Sequence, residues 1–146
     1  MVANITIHSV IENLDGTGEA ERTHTEVSGE LSLSSSGANL AWREGTESGE
    51  VGSLLTVSGD TVAVVRRGAI ENSFTFKEGV RTESLYKIGP YSFDSSVTAR
   101  RVKCALSSRG MSVTVIYEME LGGETRLVKM KIRAEACEAE DCHDGD

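Results

Sequence analysis

Arg66 is the residue in this chain with the clearest potential for chemistry, because it ends an apolar run. Val62, Val64 and Arg66 follow one another at every second position, so in a strand the arginine shares a face with two apolar side chains. A charged group on an inward face must be paired or must bind an anion, since a lone buried charge is very costly. Arg66 is therefore a candidate for holding a ligand carboxylate or phosphate with both arms of its guanidinium. The alternative, which the sequence favours, is structural: Arg66 closes one end of the fold by stacking on an aromatic such as Trp42 and bonding backbone carbonyls.

Four aromatic residues complete the candidate ligand-binding set with Arg66. Tyr86, Tyr91, Tyr117 and Trp42 combine apolar rings with polar tips, which suits the wall of a small-molecule pocket. Aromatic residues make up only 5% of the chain, so these four are also the obvious core fillers. Packing in the core is the favoured reading of the four.

Metal-binding and catalytic signals are weak. Cys137, Cys142 and His143 form a C-x4-C-H cluster among carboxylates, but structural zinc sites use tighter spacings and a fourth ligand would have to come from elsewhere. We therefore expect no metal and no cofactor. His8 and His24 fall on the polar faces of their predicted strands, and no serine or cysteine nucleophile in a recognisable elbow accompanies them. We expect no catalytic residues, and an enzyme is the least favoured class of function.

Short apolar-alternating runs, cut at nearly even spacing by glycine, must position these side chains. The clearest alternation lies at 111–121, where Val113, Val115 and Tyr117 share one face. A hairpin is predicted across Gly59-Asp60. A sharp bend or bulge is predicted at Gly29, and the polar segment 43–50 is predicted to be a loop. Further strands are predicted at about 69–77, 82–88, 91–106 and 111–121.

The whole pattern indicates an all-β fold. No segment of helical length carries a 3.6-residue apolar stripe, and parallel strands would need long crossovers for which there is no room. We therefore predict an antiparallel up-and-down meander of eight to ten strands. Closure into a barrel removes exposed sheet edges, and the even spacing favours it.

Composition divides the chain into a domain and a tail. Residues 1–134 are predicted to form a single barrel domain, and 135–146 an acidic, disordered tail with six acids and no lysine or arginine. Without that tail the body has 17 acidic against 15 basic residues, which argues against a nucleic-acid partner. No stretch approaches the roughly 20 apolar residues that span a bilayer. The absence of a secretory pattern and the odd number of cysteines predict a cytoplasmic protein with reduced thiols and no membrane partner.

Residues 66–93, together with the Leu121-Gly122-Gly123 turn, resemble the YwiB-like family of uncharacterised bacterial proteins. The matching pieces are Arg66 and Gly68, Phe76 and Gly79, Tyr86, Pro90-Tyr91, Thr98 and Tyr117. The similarity extends over about residues 3–134. It implies a barrel of the lipocalin-like (calycin) type, and it implies no activity, because none is established for the family.

Two functions remain open beside the disfavoured enzyme. The first expectation is a calycin-like barrel that binds a small apolar or anionic ligand, since an eight-stranded barrel has room for one small ligand or for its own side chains. The alternative is a structural or protein-interaction barrel with a filled core, which would leave an apolar patch on its exterior and could form a homodimer.

Overall fold

In the computed structural model, which describes residues 1–137, the regular elements are ten β-strands. They are β1 (Val2–Asn13), β2 (Glu21–Ser34), β3 (Gly37–Thr46), β4 (Gly49–Ser58), β5 (Thr61–Gly68), β6 (Ile70–Phe76), β7 (Arg81–Ile88), β8 (Tyr91–Leu106), β9 (Gly110–Leu121) and β10 (Glu124–Ala136). The all-β prediction is confirmed, and the strand number is at the upper end of the predicted range.

The ten strands form one closed antiparallel barrel. Each strand pairs with its neighbours in sequence, and β1 pairs with β10 from Ala3↔Ala136 to Asn13↔Arg126 to complete the circle. The predicted up-and-down barrel is therefore confirmed. In such a meander alternate turns lie at opposite ends, and we call the end that carries the β1/β2, β3/β4, β5/β6, β7/β8 and β9/β10 turns the upper end.

Side chains alternate between the barrel interior and its outer face as the sequence predicts. On β9, Val113 and Val115 are fully buried and Tyr117 is 6% exposed, whereas Ser112 and Thr114 are only partly covered. Tyr117 packs on Phe76 with ring centroids 4.5 Å apart. The interior thus combines aliphatic side chains with an aromatic cluster that includes Phe76 and Tyr117.

The prediction of a loop at 43–50 is wrong, and so is that of a bulge at Gly29. The segment 43–50 is a hairpin rather than a loop, because β3 continues to Thr46 and β4 begins at Gly49, with Arg43↔Gly52 and Thr46↔Gly49 in register. Its polar composition reflects the position of the hairpin at the barrel rim, where water reaches both faces.

Gly29 carries no shift of register in either of its ladders. What this glycine permits is a close approach: a Cβ there would lie 2.2 Å from the Ala41 carbonyl oxygen. The irregularity lies instead in β8, between Ala99 and Arg101. The outward Arg100 and Arg101 give no sequence signal for it.

Near the C-terminus, β10 extends to Ala136, two residues past the predicted domain boundary. Most of the predicted tail lies outside the described residues, so its disorder stays a prediction. Cys104 is a free thiol, but Cys137 is disulfide-bonded, so the expectation of a reduced thiol is wrong at that position. An odd number of cysteines does not prevent one pair from forming. Residues 1–137 contain no helix long and apolar enough to cross a membrane.

Candidate functional site

Three polar side chains lie side by side on the interior face of three adjacent strands, near the upper end of the barrel. Ser53 of β4 is paired with Arg66 of β5, and Arg66 is paired with Asn72 of β6. Residues directly opposite each other in adjacent strands share a face. Because β5 buries Val62 and Val64 on that face, the whole polar row (Ser53, Arg66 and Asn72) points inward. The inward orientation predicted for Arg66 from its spacing is the orientation that the structure gives it.

The polar row is deeply set. Ser53 is 5% exposed and Asn72 is 6% exposed, while Arg66 is half-buried between them. Their strands continue below the row into purely apolar positions, such as Leu55 and Phe74. Val51, above Ser53 on the same strand, is buried as well, so the row is a polar layer within an otherwise apolar interior.

The polar groups of the row have no partners within the protein. Ser53 Oγ, Asn72 Oδ1 and Asn72 Nδ2 are buried, and none makes a hydrogen bond with any of residues 1–137. Arg66 likewise makes no hydrogen bond or ion pair within the described part of the chain. A buried polar group without a partner costs about 1–3 kcal/mol, so three such atoms beside an unpaired cation need an explanation.

Arg66 and Tyr86 both lie within electrostatic range of Tyr117. Burial raises the pKa of Tyr117 to about 12, while the positive charge of Arg66 acts to lower that pKa and Tyr86 acts to raise it. Phe74 lies under the same phenol, with ring centroids 6.3 Å apart. Arg66 and Tyr86 are therefore both near the Tyr117 phenol, and these three residues form the group around Arg66, beside the aromatic rings of Phe74 and Phe76.

The other two predicted aromatics differ in position. Trp42 is buried next to the row, paired with Ser53, and its Nε1 donates to Glu44 Oε1 at 3.3 Å. Ser53 separates it from Arg66 in the ladder order. Tyr91 is paired with Ile88 beside the β7/β8 turn and is 65% exposed, so the structure leaves it at the rim, outside the group around Arg66.

Three site residues were missed from the sequence. Ser53 interrupts the buried series Val51, Leu55 and Val57, and Asn72 precedes Phe74 and Phe76 at the same parity. This is the signal that singled out Arg66, so a search for polar residues at inward positions finds both. Phe93, 40% exposed and paired with Tyr86, adds a rim aromatic that only the pairing reveals.

The barrel wall is least continuous beside Asn72. The β6/β7 ladder has only two register pairs, Ile70↔Ile88 and Glu71↔Lys87. Further along, the Thr82 hydroxyl donates to the Thr75 carbonyl at 3.0 Å. Since the two strands part just after Glu71, the backbone next to Asn72 is the part of the wall with the fewest paired neighbours.

The remaining sequence candidates lie elsewhere. His8 and His24 face each other on the outer surface of β1 and β2, with ring centroids 4.2 Å apart. Within residues 1–137 no three His, Cys, Asp or Glu side chains are placed to hold a metal ion. Cys142 and His143 lie outside the described residues, so metal binding by this cluster stays a hypothesis.

Comparison with known proteins agrees with this fold. Residues 5–133 match the family described as a domain of unknown function, DUF1934. The chain belongs to this family. An uncharacterized beta-barrel protein of Bacillus subtilis (strain 168), YwiB, is 27% identical over 122 residues, which cover 82% of this chain and 84% of YwiB.

The fold of this DUF1934 member is also found experimentally. The crystal structure of the ywiB protein from Bacillus subtilis superposes with a TM-score of 0.83 and covers 94% of this chain and 92% of its own, at 23% identity. The resemblance inferred from residues 66–93 is thereby confirmed, and with it the barrel. The function of the family is not established by these relatives.

Proposed function

We propose that this barrel binds a small anionic ligand at its upper end, with Arg66 as the anion-binding residue. The observation that carries the proposal is the unpaired Arg66 guanidinium, facing inward between the buried and unpartnered side chains of Ser53 and Asn72. The cytoplasmic location predicted from the sequence, and the absence of nucleic-acid and membrane partners, belong to the same proposal.

The chemistry of the group suits an anion with an apolar body. Arginine binds carboxylates and phosphates through two parallel N–H donors, and it stays charged at physiological pH. Because the raised pKa of Tyr117 keeps its phenol neutral, Tyr117 acts as a hydrogen-bonding group rather than as a base. Phe74 and Phe76 supply apolar contact below the anion. These groups favour binding over catalysis.

Native mass spectrometry of the purified protein tests the proposal. The wild type is compared with Arg66→Met, which keeps an apolar stem without the charge, and with Arg67→Met as the matched control. Arg67 is the next residue of β5 and is exposed on the outer face. We expect an additional small-molecule mass on the wild type and on Arg67→Met, and its loss from Arg66→Met. Equal retention by Arg66→Met contradicts the proposal.

A second candidate, self-association, has one observation in its favour. Ala41, Leu54 and Val65 lie in register across the outer face of β3, β4 and β5, and Leu54 is 43% exposed. They line an open groove of about 920 Å³ flanked by Arg43 and Arg67. Such a face could pack on a second copy of the barrel.

The subunit number in the same mass spectra tests this second candidate. A dimer in the wild type that becomes a monomer in Leu54→Glu supports it, whereas a wild-type monomer contradicts it. Leu85→Glu, the same change at an exposed leucine of β7, controls for the added charge.

A further inference from the structure

The side-chain amide of Asn72 is the most demanding unsatisfied group inside the barrel. Its oxygen can accept hydrogen bonds and its nitrogen can donate two, and both atoms are buried without a partner in residues 1–137. Exchanging the two atoms by turning the amide over leaves the same requirement, namely one donor and one acceptor side by side. A simple carboxylate cannot meet it, because an ionised carboxyl group offers only acceptors.

We infer that the ligand presents an amide-type edge to Asn72 in addition to its anionic group. Primary carboxamides, lactams and imides carry a carbonyl oxygen and an N–H next to each other, and they match an asparagine side chain with two hydrogen bonds, much as asparagine matches the edge of adenine. This inference depends on the anion site of the proposed function. It narrows the ligand class to an amide- or lactam-bearing carboxylate or phosphate.

One small molecule can meet both groups because Arg66 and Asn72 are directly opposite in the β5/β6 ladder. The Cβ atoms of such a pair lie about 4.5–5.5 Å apart. The hydroxyl of Ser53, on the other side of Arg66, can donate to or accept from the same molecule. The three side chains of the polar row thus recognise an anionic group and an uncharged amide edge at neighbouring positions.

The Arg66 side chain is placed to turn toward a bound anion. No hydrogen bond or ion pair within residues 1–137 holds its guanidinium in place. The neighbouring wall has few paired residues, because β6 and β7 part after Glu71. The buried atoms of Ser53 and Asn72 lie on either side of Arg66 in the ladder order, so a ligand held by the guanidinium lies next to both.

Matched fragments test the amide edge on the full-length protein. We measure the affinities of 3- and 4-carbamoylbenzoate and of 3- and 4-acetylbenzoate by calorimetric titration. Each pair has the same charge and shape, and the acetyl compound replaces the amide nitrogen by a methyl group. We expect one carbamoyl isomer to bind about tenfold more tightly than its acetyl counterpart, because the acetyl compound leaves Asn72 Oδ1 without a partner.

Variants assign the preference to Asn72. In Asn72→Leu the affinity ratio of the carbamoyl to the acetyl fragment should fall below about twofold. In Asn39→Leu, the same change on the outer face, it should persist. Carbamoyl and acetyl fragments that bind equally, or a preference that survives in Asn72→Leu, overturn the inference.

The same titrations separate this inference from the proposed function. If both fragments of a pair bind equally, and both lose affinity in Arg66→Met but not in Arg67→Met, the anion site stands and only the amide edge fails. If none of the four carboxylates binds, both the anion site and the amide edge are contradicted.

Discussion

The phenol of Tyr117 packs against the ring of Phe76 with centroids 4.5 Å apart, and the same tyrosine senses the charge of Arg66. Tyr117 therefore connects the aromatic cluster of the core to the polar row. Tyr117 is therefore a natural reporter of both, since its ionisation is opposed by burial and favoured by the neighbouring guanidinium.

The raised pKa of Tyr117 predicts a loss of stability at high pH. Its pKa is about 12 in the folded protein, against about 10 for a tyrosine in an unfolded chain. Between these values the unfolded chain releases a proton that the folded protein keeps, so the free energy of unfolding falls as pH rises, by up to about 1.4 kcal/mol per pH unit. Below about pH 10 the contribution is constant. Urea unfolding across this range should show a shallower fall for Tyr117→Phe than for the wild type, and equal slopes contradict the prediction.

A second prediction concerns the coupling of Arg66 to Tyr117. Because the positive charge of Arg66 favours the phenolate, Arg66→Met should raise the pKa of Tyr117 further. Arg67→Met, on the outer face of the same strand, should leave the pKa of Tyr117 where it is in the wild type. Ultraviolet titration of tyrosine ionisation, with Tyr117→Phe to assign the late transition, measures both. An unchanged late transition in Arg66→Met would place the guanidinium away from Tyr117.

The barrel could be predicted from the sequence because alternation acts along every strand. The series Val113, Val115, Tyr117 fixes which face of β9 is buried, and the inward position of Arg66 follows from the same rule. The hairpin at 43–50 escaped prediction because strands at a rim have no buried face, and so no alternation to detect. The irregularity of register between Ala99 and Arg101 could not be predicted, because Arg100 and Arg101 are both exposed.

The candidate site could be predicted only in part, since a strand pattern gives faces but not neighbours. Which inward residues meet depends on the register of ladders, and register placed Ser53 and Asn72 on either side of Arg66. The register also places Tyr91 beside the β7/β8 turn, where a side chain on the interior face is exposed to solvent. Tyr117 and Tyr91, which the sequence pattern does not distinguish, are thus a core residue and a rim residue in the fold.

Close backbone packing at Gly29 predicts that this position tolerates no side chain. A Cβ at Gly29 would lie 2.2 Å from the Ala41 carbonyl oxygen and 2.6 Å from Ile5 Cδ1. Since the nearer atom is backbone, Gly29→Ala should cost at least about 1–3 kcal/mol. Gly45→Ala in β3, where a Cβ meets nothing within 4 Å, is the matched control and should be near neutral. Thermal unfolding of both variants decides, and equal melting temperatures contradict the argument.

The unpartnered amide of Asn72 predicts that its replacement stabilises the barrel. Leucine has a similar size and no polar atoms, so Asn72→Leu removes two buried groups that make no hydrogen bond within the described chain. Each such group costs about 1–3 kcal/mol, and we expect the free energy of unfolding to rise by about that amount. A gain in stability together with loss of ligand is the trade-off expected of a binding residue. Urea unfolding measures the gain, provided that the dependence of the unfolding free energy on urea concentration is the same in both proteins.

Asn39→Leu is the control for that experiment. Asn39 lies on the outer face of β3, and its Oδ1 accepts from the Thr56 hydroxyl at 3.0 Å, so the same substitution there removes a satisfied group and should not stabilise. If Asn72→Leu lowers the free energy of unfolding instead, the amide has partners in solution, and a buried water is the first candidate. Asn72 makes no side-chain hydrogen bond with the described protein whichever result is found. The sign of the change in unfolding free energy in Asn72→Leu therefore tells whether the polar row is unsatisfied until a ligand binds.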